Sequence, residues 1–260
     1  MNPLPLSVLL LARDESARLA ALLPRLTFAR QVLVVLDTAT RDDSRDVALR
    51  AGAEVVERPL EDFGRQRQFG LECCREPWVL WVDADERLDD TAEATLRRAI
   101  EREGAAAGYR IERRTWFLGR MIRHCGWQGE RILRLFRRER AHFEAAAVHE
   151  RVTVEGEIAD LDGLIEHHSY EDWRACREKL VRYAALGAEQ ARRSGRRSGA
   201  VDLLFRPPLR FFRMYVLQAG FLDGGHGLAL CALASTQVML KYLDLWAEPA
   251  RPPDPMDRRE

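Results

Sequence analysis

The stretch WVLWVDADERLDD, residues 78–90, passes from five apolar residues directly into a run containing five acids. Trp78, Val79, Leu80, Trp81 and Val82 are the aromatic and β-branched types that suit a strand covered on both faces. Asp83, Asp85, Glu86, Asp89 and Asp90 then gather negative charge at its carboxyl end. Acids that repel one another at the end of a buried strand need a positive partner.

The residues before this strand set its context. LSVLLLA (6–12), QVLVVLD (31–37) and AEVVERP (53–59) read as further strands, and helical patterns separate them: DESARLAALLPRL, RDDSRDVALRAG and DFGRQRQFGLECC. Apolar strands alternating with short helices indicate βαβ units, hence an α/β fold with a doubly wound, mostly parallel sheet. After TAEATLRRAIEREG, a helix closed by glycine, the pattern changes. GYRIERRTWFLG, RILRLFRR, HERVTVEG and GLIEHHSY read as shorter strands of a mixed α+β region. From Trp173 the chain reads as helical, with expected breaks at RRSGRRSG (192–199) and RPP (206–208). The expected organisation is an α/β domain over 1–170, whose character changes from a βαβ half (about 1–105) to a mixed half (about 106–170). A helical region over 171–247 and a disordered tail over 248–260 follow.

Bulk properties narrow the function. Net charge is zero, yet residues 1–173 carry 26 Lys+Arg against 32 Asp+Glu and residues 174–260 carry 15 against 9. Basic residues so concentrated suggest an anionic partner, and a membrane surface suits them better than nucleic acid, for which no binding motif is present. The arginines of RLFRRER read as a solvated strand face. Five scattered cysteines (Cys73, Cys74, Cys125, Cys176, Cys231) form no metal spacing and suit a reducing cytoplasm. No stretch reaches the ~18 consecutive apolar residues of a membrane span.

Ligands of open α/β sheets bind at the strands' carboxyl ends. Three strands deliver polar groups there: Arg13-Asp14-Glu15, Asp37 and Asp83-Ala84-Asp85. Neither G-x-G-x-x-G nor a P-loop is present, so a nucleotide's phosphates need another neutraliser. Asp83 and Asp85, on one side of an extended chain, are hard oxygen ligands suited to Mg²⁺ or Mn²⁺. On this reading the positive partner is a divalent cation; helix capping by Asp89 or Asp90 is the plainer alternative.

The segments SVLLLARDESARL, VVLDTATRDDS, FGRQRQFGLE, WVLWVDADE, GWQGERILRLFRR, VHERV and HHSY, in this order, resemble family 2 glycosyltransferases, in particular the lipopolysaccharide-core glucosyltransferase type. FLDGGHGLALCA…LKYLDLW resembles that subgroup's closing segment. The resemblance implies a GT-A fold, a nucleotide-sugar donor (a UDP-sugar first), a divalent metal and inversion at the anomeric carbon. By position, Ala12, Arg13 and Glu15 would edge the base pocket and Asp37 would bind base or ribose. Arg67 would contact the nucleotide or its phosphate, Asp83 the ribose and Asp85 the metal. Thr38, Ala39 and Thr40 replace the family's usual glycine and serine, and Asp14 its usual asparagine.

Inversion needs one general base for the acceptor hydroxyl. Glu130 in GWQGER is the first choice and Glu150 in VHER the reserve; relatives usually have Pro-Asp where Gly129-Glu130 stands. His149 is a candidate ligand of metal or diphosphate, against the commoner structural role of a lone histidine, and His167 and His168 are read the same way. Trp127 could stack on an acceptor sugar or sit in a core. The expectation is a cytoplasmic enzyme, peripheral on the inner membrane, acting on a lipopolysaccharide-core or other lipid-linked glycan. A nucleotidyltransferase of similar fold, or a non-catalytic carbohydrate-binding or scaffold protein at the membrane, are the alternatives. The oligomeric state is left open.

Overall fold

A computed structural model describes residues 2–102, 104, 106–127, 129–144, 152–170 and 172–247. They fall into two compact units, one drawn from 1–114 and 129–168, the other from 115–128 and 169–260.

In the first unit, strands and helices alternate as the sequence pattern requires: β1 (Leu4–Ala12), α1 (Ser16–Leu22), β2 (Ala29–Asp37), α2 (Ser44–Arg50), β3 (Glu54–Arg58), α3 (Phe63–Cys73) and β4 (Trp78–Asp83). The four strands lie in the order β3-β2-β1-β4, and all three pairings are parallel. Successive side chains of β1 enter opposite cores: Val8 and Leu10 pack with Leu19, Leu22 and Ala48, while Leu9 packs with Val35, Leu71 and Trp81. Burial on both faces is why these strands read as continuous apolar runs. Gly70 lets α3 approach the sheet closely, since a Cβ there would lie 2.5 Å from Leu9 Cδ1.

The chain continues through β5 (Glu86–Leu88), α4 (Ala92–Glu101), β6 (Gly108–Phe117), β7 (Arg120–Met121), β8 (Glu130–Arg137), β9 (Ala141–Phe143), β10 (Val152–Val154) and β11 (Ile158–Tyr170); all belong to the first unit except β7, which lies in the second, and the ends of β6 and β11, which run into it. From β4 the sheet continues through β8, β6 and β11 to β5. Here β8 is antiparallel to β4 and β6, and β5 is antiparallel to β11. Only Ala84 and Asp85 separate β4 from β5 in the chain, yet the two strands stand four places apart in the sheet. The sheet therefore curls until its far edge returns to the end of β4.

The second unit contains α5 (Trp173–Arg193), α6 (Ala200–Phe212) and α7 (Gly224–Ala247), and α7 packs along both of the others. Its core gathers Phe117, Ile122, Cys125, Cys176, Met214, Leu230 and Cys231. The break after Arg193 is where the glycine-rich stretch places it. The break expected at Pro207-Pro208 is not: both prolines lie inside α6. Packing outweighs the lost N–H donors, because Pro207 is buried and its carbonyl accepts from Ser235 Oγ of α7 at 2.8 Å. The helical path changes further on instead, through a wider turn at Arg213–Leu217 and left-handed backbone at Ala219 (φ 54°).

The FLDGGHG segment closes this unit from inside. Asp223 is buried and accepts from the backbone N–H of Arg123 (3.2 Å) and His124 (2.8 Å). Gly227 passes so close to the chain at Gly220 that a Cβ would meet its carbonyl oxygen at 2.0 Å, whereas one on Gly225 would meet open space. Gly227→Ala is therefore expected to lower the unfolding free energy by ~1–3 kcal/mol or more, as overpacking does. Gly225→Ala should leave it unchanged or raise it by ~0.4–1 kcal/mol. Urea unfolding of the two variants tests the difference.

Candidate functional site

The carboxyl ends of β1, β2 and β4 meet at one edge of the first unit, as the strand order requires. Beyond β1, Asp14 adopts left-handed backbone (φ 54°), which aspartate and asparagine tolerate best among side-chain-bearing residues, and its Oδ1 accepts from Arg41 N at 2.7 Å. Ala12 is buried at the strand's end. Glu15 pairs with Arg18 at 2.8 Å, and its N–H donates to Ser44 Oγ. Asp42 ties the same loops by accepting from Ser16 N. Although burial opposes it, hydrogen bonds from Ser44 and Ser16 hold the Asp42 carboxyl down at about 2.

Asp37, at the end of β2, is buried. Its Oδ1 accepts from Ala39 N (3.1 Å) and Leu60 N (3.3 Å), and its Oδ2 lies 3.2 Å from the exposed guanidinium of Arg13. One oxygen thus fixes the loops after β2 and β3, and the other faces the charge delivered by β1.

At β4 the local geometry departs from expectation. Asp83 is the last residue of the strand, Ala84-Asp85 form a turn, and Glu86 begins β5, so Asp83 and Asp85 do not share one side of an extended chain. The turn is stabilised by the Asp83 N–H donating to Glu86 Oε2 (3.1 Å), a local side-chain bond that competes with strand continuation.

Arginines answer much of the acids' charge. Arg134 of β8 donates through Nη2 to Asp83 Oδ2 (2.7 Å) and to Glu86 Oε1 (2.6 Å). Arg67 of α3 reaches Asp83 Oδ1 at 3.3 Å. Both guanidiniums stand over the Trp81 ring, at 4.0 Å for Arg134 and 4.1 Å for Arg67, and Trp81 Nε1 donates to Asp83 Oδ1 at 3.2 Å. Burial works against charge on Asp83, but Arg134 and then Arg67 outweigh it and hold its carboxyl below the usual range. Glu86 is fully buried, and burial pushes its carboxyl up despite Arg134, with Asp83 adding to the rise. Arg134 stays charged against its own burial because these two carboxylates flank it. The reading of the RLFRRER arginines as a solvated face fails at Arg134, which is only 2% exposed. Arg134 is the extra residue of an irregularity in β8, between Leu133 opposite Arg110 and Leu135 opposite Tyr109, so alternation along the sequence does not place it.

Asp85 has different surroundings. Its Oδ2 lies 3.4 Å from His167 Nε2, and its carbonyl accepts from His168 N at 2.7 Å, which fixes the turn onto β11. No group of three or more His, Cys, Asp or Glu side chains among the described residues is arranged to hold a metal ion. A Mg²⁺ or Mn²⁺ ion would ask for only one or two carboxylates, with phosphate oxygens and water for the rest of its shell. Hard oxygen donors at the sheet edge suit such an ion, with Asp83 already matched by arginine and Asp85 beside it.

Glu130, the first choice of base, opens β8 and is half exposed. Arg113 holds its Oε2 at 2.6 Å through Nη2, and Arg113 Nη1 lies 3.9 Å from Glu86 Oε1. A continuous chain of ion pairs therefore runs from Asp83 through Arg134, Glu86 and Arg113 to Glu130. His149 and Glu150 lie outside the described residues. His168 Nε2 lies 3.3 Å from Glu166 Oε2. Trp127 stacks on Tyr170 with ring centroids 5.9 Å apart, within the second unit.

The chain matches the family described as Glycosyl transferase family 2 over residues 7–153. The lipopolysaccharide core biosynthesis glycosyltransferase LpsC of Rhizobium meliloti (strain 1021) is 27% identical over 255 residues, 92% of this chain and 93% of that protein. The uncharacterized glycosyltransferase RP128 of Rickettsia prowazekii (strain Madrid E) is 21% identical, over 85% of this chain and 80% of its own. In fold, the chain is similar to the mannosyltransferase PcManGT of Pyrobaculum calidifontis, solved with GDP-Man and Mn²⁺, at a TM-score of 0.53 and 13% identity, covering 95% of this chain and 88% of that one. The parallel strands in the order β3-β2-β1-β4, the curled antiparallel extension and the acids at the end of β4 are the GT-A arrangement that the sequence led us to expect. With a family match that spans more than half its length, the chain belongs to glycosyltransferase family 2.

Proposed function

We propose that this glycosyltransferase moves a sugar from a UDP-sugar, with inversion, to a lipopolysaccharide-core or other lipid-linked glycan at the cytoplasmic face of the inner membrane. The carrying observation is the split at the end of β4: arginines match Asp83, while Asp85 sits in the adjoining turn beside His167. The core acceptor is suggested by the likeness to LpsC along nearly the whole chain. The membrane face is suggested by the basic excess of residues 174–260 and by exposed apolar side chains in the second unit.

In this reading Ala12, Arg13 and Glu15 edge the base pocket, and Asp37 accepts from base or ribose through the oxygen that Arg13 faces. Asp83, held in orientation by Trp81, Arg67 and Arg134, accepts from a ribose hydroxyl. Arg67 adds positive charge beside the phosphates. A divalent cation, when bound by Asp85 and by His149 if that residue reaches it, supplies charge that stabilises the departing diphosphate. Glu130 takes the proton of the acceptor hydroxyl. Both Arg113 bonds end on Glu130 Oε2, so Oε1 is the atom for that proton. As the hydroxyl oxygen bonds to the anomeric carbon from the opposite face, the sugar–phosphate bond breaks and its electron pair leaves with the diphosphate. Glu150 is the reserve for the same role.

Three outcomes are expected. Asp85→Asn, or excess EDTA, should abolish transfer and the Mn²⁺-dependent part of UDP binding in calorimetry, with the unfolding transition unchanged; full activity in either case would overturn the metal assignment. Glu130→Gln should lower turnover by ~10²–10⁴-fold, the usual contribution of a general base, with donor affinity nearly unchanged. Normal turnover in Glu130→Gln alongside a loss in Glu150→Gln would exchange their roles. Arg134→Ala should destabilise the fold by about 3–5 kcal/mol in urea unfolding, because it strands a buried carboxylate. The configuration of the product's anomeric centre, read by proton NMR, tests inversion.

A further inference from the structure

Helix α6 has two apolar faces, and only one is buried. Leu203, Pro207, Phe211 and, just beyond its end, Met214 face inward, packing with Tyr242 and Leu245 or with Leu230 and Cys231. Val201, Leu204, Phe205, Leu209 and Phe212 are instead 71%, 66%, 60%, 63% and 49% exposed. At ~100° per residue these five fall within an arc of about 140°, so they form one continuous stripe. Pro208, also exposed, lies within it. Val216, Leu217, Phe221 and Leu222 add exposed apolar surface immediately after the helix.

A stripe of this kind on the outside of a folded unit needs a partner. Its flank indicates which. Arg206, Arg210 and Arg213 follow one another along one border of the stripe, all exposed, and Arg196 and Arg197 stand exposed in the link that precedes the helix. Asp202, the acid of this helix, is paired with Arg206. Arg192 and Arg193, which the sequence groups with this basic cluster, are engaged by Glu189. Apolar side chains bordered by arginines complement a surface with an apolar interior and anionic phosphates above it. The 13 residues of α6 reach about 20 Å along the helix axis, short of the ~30 Å hydrocarbon core, so the helix suits lying in the interface and not crossing it. The segment Gly220–Ala247 is long and apolar enough to cross a membrane by length and composition; α5 and α6 pack along its helix, but only 22% of its most apolar stretch is buried.

We propose that the outer face of α6 is a monotopic anchor that lies in the interface of an anionic bilayer. Leu204, Phe205, Leu209 and Phe212 enter among the acyl chains, and Arg210 and Arg213 meet the lipid phosphates. The inference rests on the membrane-surface reading above and deepens it by assigning the contact to α6.

The test uses the full chain with vesicles of phosphatidylglycerol and phosphatidylethanolamine, against vesicles of phosphatidylcholine alone. The protein should sediment with the anionic vesicles, and Leu204→Glu/Leu209→Glu should lower that partition at least tenfold while leaving UDP binding and the unfolding transition as they were. Arg210→Glu/Arg213→Glu should reduce it at low salt. If the wild type binds and the leucine variant binds equally well, the membrane reading stands and the α6 anchor falls. If the wild type binds no vesicle, the membrane reading itself falls; a dimer in light scattering that the same variant dissolves would then give the face to a second copy of the chain. Protein that stays with cell membranes through alkaline carbonate would make the Gly220–Ala247 segment a span and overturn a monotopic α6. Should the glutamates unfold the chain, Phe205→Trp reads the same contact: its fluorescence should be quenched by brominated acyl chains on binding, and absence of quenching overturns the proposal.

Discussion

The guanidinium of Arg134 is the point on which the first unit turns. It reaches Asp83 at the end of β4 and Glu86 at the start of β5 from a third strand, β8. Because β5 belongs to the far edge of the sheet, the curl of the antiparallel half brings the buried carboxylate of Glu86 beside the part-exposed one of Asp83. Such charges are tolerable only if paired with good geometry, and a replacement by apolar residues could be at least as stable. What an apolar replacement could not do is hold one ionised carboxylate, Asp83, at the open edge with its orientation set by three donors. The ion cluster is better understood as the fixture of a site than as a source of stability.

With Arg134 in place, the acids at the end of β4 separate by task. Asp83 and Glu86 answer to arginines. Asp89 accepts from the N–H and hydroxyl of Thr91 at the entrance to α4, and Asp90 pairs with Arg25 at 2.7 Å. Asp85 lies in the turn beside His167. The acid run is therefore several structures compressed into eight residues, and its mutual repulsion is relieved by partners drawn from α3, β8, β11 and the residues after α1. A reading that assigns one cation to the whole run asks more of that ion than the fold requires.

The parallel half was legible because both its faces are buried. Strands such as SVLLLA and WVLWV then read as unbroken apolar runs, and the glycine at Gly52 marks the end of α2 with positive φ. Arg134 was missed because an arginine in RILRLFRR is easily taken for the polar half of an alternating strand, and the irregularity at which it sits, where β8 slips by one residue against β6, leaves no mark in the sequence. Glu86 was missed as a separate actor because a buried carboxylate cannot be told from an exposed one until its partner is placed. The prolines of RPP misled for a related reason: local propensity marks a break, but the buried contact of Pro207 and its bond from Ser235 come from a helix more than twenty residues away.

The FLDGGHG segment shows how far a family likeness carries in physical terms. Its aspartate is buried on backbone donors of residues 123 and 124, and Gly227 makes room for the chain at Gly220, so the motif reports internal closure of the second unit. The strongest chemical constraints of that unit thus face inward. What it presents outward is of another kind: apolar side chains of α6 at half exposure or more, bordered by arginines. An inward face fixed by glycine and aspartate keeps the helices in register whatever lies outside. The outward face is then free to be shaped by its surroundings, and its residues are those that water alone would not select.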